Sequence, residues 1–334
     1  MTGLVVKNTG FWYLVLPQGQ QLDNSLLQLD ATQQPAIGGL IPCKIKGNFR
    51  LKGIRTTNPV AVGDIVNYEV NQEGFAFITT IQERHNYIIR KSINLSKQAH
   101  ILATNLDAVV LVVTIQHPQT STTFIDRFLA TAEAYNVPTI IVINKADLLD
   151  DEEKNYADDL AYLYRSIGYD VLFISAKTGQ GVDELQQRLL GKVTLLSGNS
   201  GVGKSSLLNR LIPDVNTKTA EISDVHDQGM HTTTFSEMYR MSTPTGGESE
   251  GDTYLIDTPG IKGFGTIEFE KESVGHYFKE IFRTSADCRF NNCTHTHEPG
   301  CAVLRALDEH LIAQSRYDSY LSILQDEAEG KYRE

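Results

Sequence analysis

The sequence has little that would hold a chain together covalently. Four cysteines in 334 residues are too few for a disulfide framework, which excludes the small secreted scaffolds. With 10 prolines and 26 glycines the composition is not that of a collagen-like or disordered chain. Nor does any run approach the roughly 20 apolar residues that a membrane-spanning helix needs. The longest, residues 108–115 (AVVLVVTI), has the length of a buried strand, and residues 1–10 lack a basic segment followed by an apolar one. No membrane association and a cytoplasmic location are therefore expected. Positive charge is also scarce: 30 Lys and Arg face 41 Asp and Glu, a formal net charge of -11, which argues against nucleic acid as a partner of the chain as a whole. Locally the sign reverses. Residues 1–63 carry Lys7, Lys44, Lys46, Arg50, Lys52 and Arg55 against Asp23 and Asp30, a basic segment inside an acidic protein.

The length fits two to three domains at roughly 100–200 residues each. Residues 4–7, 11–16, 40–46, 64–71 and 75–81 read as five short strands broken by turn residues, with no helix between them. That count predicts an OB-fold β-barrel over 1–84, and the mixture of cations with Phe49 in residues 43–55 is the chemistry of a single-strand nucleic-acid groove. From about Asp107 apolar strands (107–115, 138–143, 169–174, 192–196, 253–256) alternate with helical stretches (124–135, 152–167, 182–190, 204–211), which predicts a doubly wound parallel α/β domain over 85–268. Residues 269–334 hold a Cys/His cluster followed by one long periodic helix carrying Val303, Leu307, Leu311, Tyr317, Leu321 and Leu324. Residues 246–252 read as a hairpin tip.

Gly198, Asn199, Ser200, Gly201, Val202, Gly203, Lys204 and Ser205 satisfy G-x-x-x-x-G-K-[ST], with Ser206 behind them, between an expected strand and an expected helix. Glycines let successive N–H groups curl toward phosphates, the helix start adds a favourable dipole, Lys204 reaches the β/γ-phosphates and Ser205 can ligate Mg²⁺. The base is chosen elsewhere. Asn144, Lys145, Ala146 and Asp147 form N-K-x-D at a strand end, where the Asp147 carboxylate can accept from the two donors on guanine N1 and N2. Adenine lacks that pair, and a mismatch of this kind costs on the order of a few kcal/mol. The Lys145 stem would cover the ring, and Asn144 would brace the loop. Ser175, Ala176 and Lys177, again past a strand, fit a second base loop whose backbone N–H meets guanine O6. Asp257 opens D-T-P-G, with Asp257 near Mg²⁺ and the Gly260 N–H toward the γ-phosphate. His231, Thr232, Thr233 and Thr234 form the candidate switch, Thr233 closing on the metal. GTP and GDP are thus the expected ligands; an ATPase is the rival reading.

The base loops precede the phosphate loop in the chain, so the expected domain is circularly permuted, as closely placed chain ends permit. Its phosphate-sensing segment then leads directly into the Cys/His region. Barrel, permuted GTPase and Cys/His tail in this order resemble the ribosome small-subunit-dependent GTPase A family (RsgA, also called YjeQ or EngC). The resemblance covers nearly the whole chain. It is carried by Val62, Gly63 and Asp64, by Asn144–Asp147, Gly198–Ser206, His231–Thr233 and Asp257–Gly260, and by Cys288 through Cys301 with Glu298, Pro299 and Gly300. It implies late maturation of the small ribosomal subunit, contact with the subunit and its rRNA, GTP turnover stimulated by that subunit, and action as a monomer. A nucleotide-gated RNA-binding scaffold with incidental turnover is the alternative.

Cys288, Cys293 and Cys301 with one histidine make a closed tetrahedral Zn²⁺ site of structural type, since no position is left for water. Spacing leaves His295 and His297 as rivals for the fourth position, and the family pattern implies His295. Where many GTPases carry a glutamine after D-T-P-G this chain has Ile261, which cannot orient water. Intrinsic hydrolysis is therefore expected to be slow, with His231 favoured to position the water.

Overall fold

Period-two burial in short strands closes the N-terminal part on itself. In a computed structural model that describes residues 1–28, 39–45, 59–72, 76–91, 99–215, 236–242, 252–258, 269 and 271–329, these strands are β1 (Thr2–Asn8), β2 (Tyr13–Pro17), β3 (Ile41–Ile45), β4 (Ile65–Val70) and β5 (Ala76–Ile81). They pair in the order β1-β2-β3-β5-β4, and β4 returns to β1, so the barrel is closed and presents no free edge. This is the expected OB-like barrel, filled by Val5, Tyr13, Val15, Cys43, Val66, Tyr68 and Ile78. A buried carboxylate fixes its base. Asp64 receives Arg84 Nε and Nη2 at 2.7 Å each, the Ala61 N–H at 2.8 Å and the Thr104 hydroxyl at 2.9 Å, a charge-assisted set that offsets the desolvation of the ion.

A ribbon of β6 (Tyr87–Lys91) and β7 (Ala99–Thr104) follows, two strands that the sequence reading did not contain. The α/β domain runs β8 (Ala108–Val113), α1 (Thr122–Ala134), β9 (Thr139–Ile143), α2 (Asp151–Ile167), β10 (Asp170–Phe173), α3 (Val182–Leu189), β11 (Val193–Ser197), α4 (Lys204–Leu211), β12 (Glu237–Met241) and β13 (Thr253–Asp257). Its sheet order is β10-β9-β8-β11-β13-β12, with the first five strands parallel and β12 antiparallel at the end. Every residue of β8 and β9 is buried, the continuous apolar pattern of a parallel sheet covered on both faces. Start signals are local: Ser121 caps α1 by accepting the Phe124 N–H, and Asp150 with Glu153 forms a reciprocal capping box on α2. β12 also meets β1 of the barrel at Lys7 and Glu237, whose side chains pair at 2.6 Å.

The tail corrects one expectation. Instead of one long helix it forms α5 (Lys279–Ser285), α6 (Ala302–Asp308) and α7 (Gln314–Glu329). α6 ends because His310 adopts φ 59, its N–H bonding to Leu307 O while the Leu311 N–H bonds to Ala306 O, the paired bonds of a left-handed helix stop. Leu311, assigned to the apolar face, is 74% exposed. α7 packs on α1, and Ala130 of α1 joins Phe278, Ile281, Val303, Tyr320 and Ile323 in the tail's core. Among the described residues no helix is long and apolar enough to cross a membrane. His231–Thr234, Gly260 and Ile261 lie outside the described residues, as do Lys46, Arg50, Lys52, Arg55 and all of the 246–252 segment but Asp252.

Candidate functional site: a nucleotide pocket and a metal cluster

The carboxyl ends of β9, β10, β11 and β13 open on one edge of the sheet, because these strands are parallel. Ligands in open α/β sheets bind at such an edge. β11 delivers the phosphate loop. Gly198 and Gly203 have φ 145 and 95, and a Cβ on them would stand 2.3 Å from Val112 O and 2.4 Å from Asn144 Nδ2, so both need glycine for conformation and for space. α4 then begins at Lys204.

The base loop touches the phosphate loop directly. Asn144, 2% exposed, donates from Nδ2 to Val202 O at 2.8 Å and accepts the Ala176 N–H on Oδ1 at 3.0 Å. One amide therefore ties N-K-x-D, the phosphate loop and S-A-K together. Lys145, in a left-handed conformation with φ 65, donates from Nζ to Gly201 O at 2.8 Å and to His117 O. Its stem thus runs from the base loop to the phosphate loop. Asp147 stands in a short 3-10 turn, Ala146–Leu148, with its side chain exposed. Ser175 is buried and its hydroxyl accepts the Thr178 N–H at 3.0 Å, while Lys177 is exposed.

Lys204 is buried, and its ammonium donates to Gly198 O at 2.8 Å and Asn199 O at 2.7 Å. Burial pushes its pKa down to about 8, against the opposing pull of Asp257. Asp257, 2% exposed, ends β13 in register with Leu196 of β11. Beside it the Thr258 hydroxyl donates to Leu196 O at 3.1 Å. These contacts place one carboxylate, Asp257, and one ammonium, Lys204, at one strand-end crevice.

Sequence reasoning missed the segment 114–120. Its Thr114 hydroxyl donates to Pro118 O at 2.5 Å, and the Thr114 N–H donates to the Thr120 hydroxyl at 3.1 Å. This turn offers the His117 carbonyl to Lys145 and sets the Pro118 ring 3.3 Å from where a Gly201 Cβ would stand. No residue-type signal could have found it, because every residue owns a carbonyl.

In the tail, one ligand atom each from Cys288, Cys293, His295 and Cys301 lies within 4.8 Å of all the others. Cys288 Sγ and Cys301 Sγ are 4.0 Å apart and stand 3.6 and 3.5 Å from His295 Nδ1. A tetrahedron built on bonds of about 2.3 Å to sulfur and about 2.0–2.1 Å to nitrogen has edges of about 3.8 and 3.6 Å. The cluster therefore fits a metal ion. His297 is exposed and bonds its own neighbour, Thr296, at 2.8 Å. The loop is braced from outside: Glu298 accepts the Thr294, Thr296 and His297 N–H groups, and Tyr317 and Tyr320 donate to His295 O and Thr294 O at 2.7 Å each.

A sequence model of the RsgA GTPase matches residues 81–267, and one of the RsgA N-terminal domain matches 35–78. A protein of Bacteroides fragilis, named small ribosomal subunit biogenesis GTPase RsgA, is 59% identical over 333 residues, spanning 100% of this chain and 99% of its own. A like-named protein of Flavobacterium johnsoniae is 47% identical over 98% of this chain and 94% of its own. The crystal structure of YjeQ from Thermotoga maritima superposes with a TM-score of 0.70 at 31% identity, covering 98% of each chain. That of YloQ, described as a circularly permuted GTPase, gives 0.67 at 27% identity over 100% of this chain and 96% of that one. The chain belongs to the RsgA GTPase family and is a circularly permuted, GTP-hydrolysing enzyme.

Proposed function

We propose that this GTPase acts in late maturation of the small ribosomal subunit, binding the subunit and its rRNA when loaded with GTP and leaving after subunit-stimulated hydrolysis. The observation that carries the reading is the direct contact of Asn144 and Lys145 with the phosphate loop, which lets one nucleotide span both. Asp147 reads the guanine edge, the Lys145 stem covers the ring, and the loop of Ser175, Ala176 and Lys177 supplies an N–H to O6. Residues Gly198 to Ser206 wrap the phosphates. Lys204 neutralises them, Ser205 and Thr233 hold Mg²⁺ with Asp257 nearby, Gly260 senses the γ-phosphate and His231 positions the attacking water.

The metal of Cys288, Cys293, His295 and Cys301 is Zn²⁺. It supplies a fold-stabilising crosslink for a tail with a small core of its own. The three functional units are the barrel over 1–84, the GTPase over 85–268 and the metal-binding tail over 269–334, working as a cytoplasmic monomer. The names of the relatives, with the basic barrel segment, support the subunit as partner. Co-sedimentation with purified small subunits tests the cycle. The chain pellets with the subunit under a non-hydrolysable GTP analogue and stays in the supernatant with GDP; equal partition in both states would overturn the proposal.

A further inference from the structure

The loop of Ser175, Ala176 and Lys177 is anchored from the helix that starts at the phosphate loop. α4 buries Leu207, Leu208 and Leu211 and leaves Arg210 on its exposed side. There Arg210 Nη2 donates to Thr178 O at 2.9 Å, directly after Lys177. Beside that carbonyl Gly179 adopts φ 93, and its missing side chain makes room for the cation. Arg210 Cζ and Nε lie 3.0 and 3.2 Å from where a Gly179 Cβ would stand, and Nη2 lies nearer still. The planar guanidinium therefore rests against bare backbone, a fit that a side chain at 179 would disturb. The neighbouring donors of the loop are committed. The Ala176 N–H donates to Asn144 Oδ1 at 3.0 Å, the Thr178 N–H to the Ser175 hydroxyl at 3.0 Å and the Gly179 N–H to Ser175 O at 2.8 Å. Between them the Lys177 N–H has no acceptor among the described residues.

We infer that Arg210 is a positioning residue for guanine: by holding Thr178 O it aims the uncommitted Lys177 N–H at the base oxygen O6. This role rests on the reading of Ser175 to Lys177 as a base loop and names what keeps that loop in place. A backbone donor discriminates only as well as its loop is held, because a displaced N–H leaves O6 desolvated and unpaired. Asn144 secures the loop on the side of N-K-x-D. Beyond Lys177, the bond to another element among the described residues is the one from Arg210. Arg210 shares the eight-residue helix α4 with Lys204, so the phosphate contact and the O6 contact have one rigid mount.

Calorimetric titration of the full chain with GDP and with 6-thio-GDP, in which a weakly accepting sulfur replaces O6, tests the role. The wild-type chain is expected to prefer GDP. Arg210→Ala should weaken GDP binding roughly fivefold and 6-thio-GDP binding less than about twofold, with Arg210→Lys, which keeps a donor, falling between. KM for GTP should rise by the same factor at unchanged kcat, since the base is held equally before and during the reaction. Arg210 is exposed, so its variants keep the wild-type far-UV circular dichroism. Equal losses for both nucleotides, or no loss of GDP affinity, overturn the inference. A wild-type chain that binds the two nucleotides alike removes the base-loop reading and this role with it; a preference for GDP that survives Arg210→Ala removes the positioning role alone.

Discussion

At the scale of single residues, the energetics of the pocket turn on Lys204 and Asp147. Among the described residues Lys204 donates its buried ammonium to two neutral carbonyls, and burial outweighs the pull of Asp257 and brings it to about 8. Only the charged form neutralises phosphate. Below pH about 8 the free protein already carries that charge and affinity for GTP is flat; above it the charged fraction falls, and affinity drops by up to about tenfold per pH unit. Calorimetry across pH 7 to about 9, in buffers of different ionisation enthalpy, checks this: binding takes up protons on the alkaline side, and a flat affinity with no proton uptake contradicts it. Asp147→Asn exchanges an acceptor of two N–H donors for a group that also donates. Preference should move from guanine to xanthine nucleotides, read by competition binding, whereas unchanged guanine preference would assign the base edge to another group. Both residues are singled out by sequence because their chemistry goes with residue type at a fixed spacing. The His117 carbonyl that receives Lys145 is not, because backbone groups leave no mark on composition.

At the scale of elements, the seat of the tail on the GTPase domain is a buried charge cluster. Arg316 of α7, 1% exposed, reaches Asp126 of α1 at 2.7 Å and grips Glu280 of α5 at 2.6 and 3.1 Å, with Phe278 under its guanidinium at 4.6 Å. Tyr164 of α2 donates to the same Asp126 oxygen at 2.7 Å. Burial pulls the guanidinium down, yet the two carboxylates outweigh it and hold it above its ordinary value. Removing one partner from such a cluster leaves uncompensated buried charge, so Arg316→Met should cost about 3–5 kcal/mol. Urea unfolding measures it, and a loss under about 1 kcal/mol, the range of exposed pairs, would contradict the account. Strands β8, β9, β10, β11 and β13 were visible as apolar runs and helices α1 to α4 as helical periods, α1 and α2 with side-chain caps of their own. β12 and the β6–β7 ribbon were not. Glu237, Arg240 and Lys91 place charges inside short strands, and only pairing with β13, or with each other, makes them strands. The break after α6 was hidden for a related reason: Val303, Leu307 and Leu311 keep a perfect period of four across a helix stop that His310 imposes.

At the scale of the whole molecule, chain order and spatial order differ, and that difference has mechanical meaning. The base loops after β9 and β10 precede the phosphate loop after β11 in sequence, yet Asn144 and Lys145 bring them into contact in space. The barrel meets the sheet at its β12 end through Lys7 and Glu237, and Asn24 both donates to Arg240 O and accepts the Arg240 N–H at 2.8 Å. The tail sits on α1, whose N-cap Ser121 directly follows the segment that touches Lys145 and the phosphate loop. The barrel thus rests on β12, which pairs with β13 at Asp257, and the tail on α1, which follows the turn at Lys145. Motif order alone shows the D-T-P-G segment leading into the tail; the barrel's contact with β12 leaves no such mark in the sequence. Nor does the choice of helix under the tail, since Asp126 and Arg316 carry no signature until folding buries them together. The measurement that tests the central claim most directly is single-turnover GTP hydrolysis by the zinc-loaded chain with and without purified small ribosomal subunits. A slow intrinsic rate, consistent with Ile261 where a water-orienting glutamine is common, and a rise of at least about tenfold with subunits are predicted. An unchanged rate at saturating subunit would contradict the account.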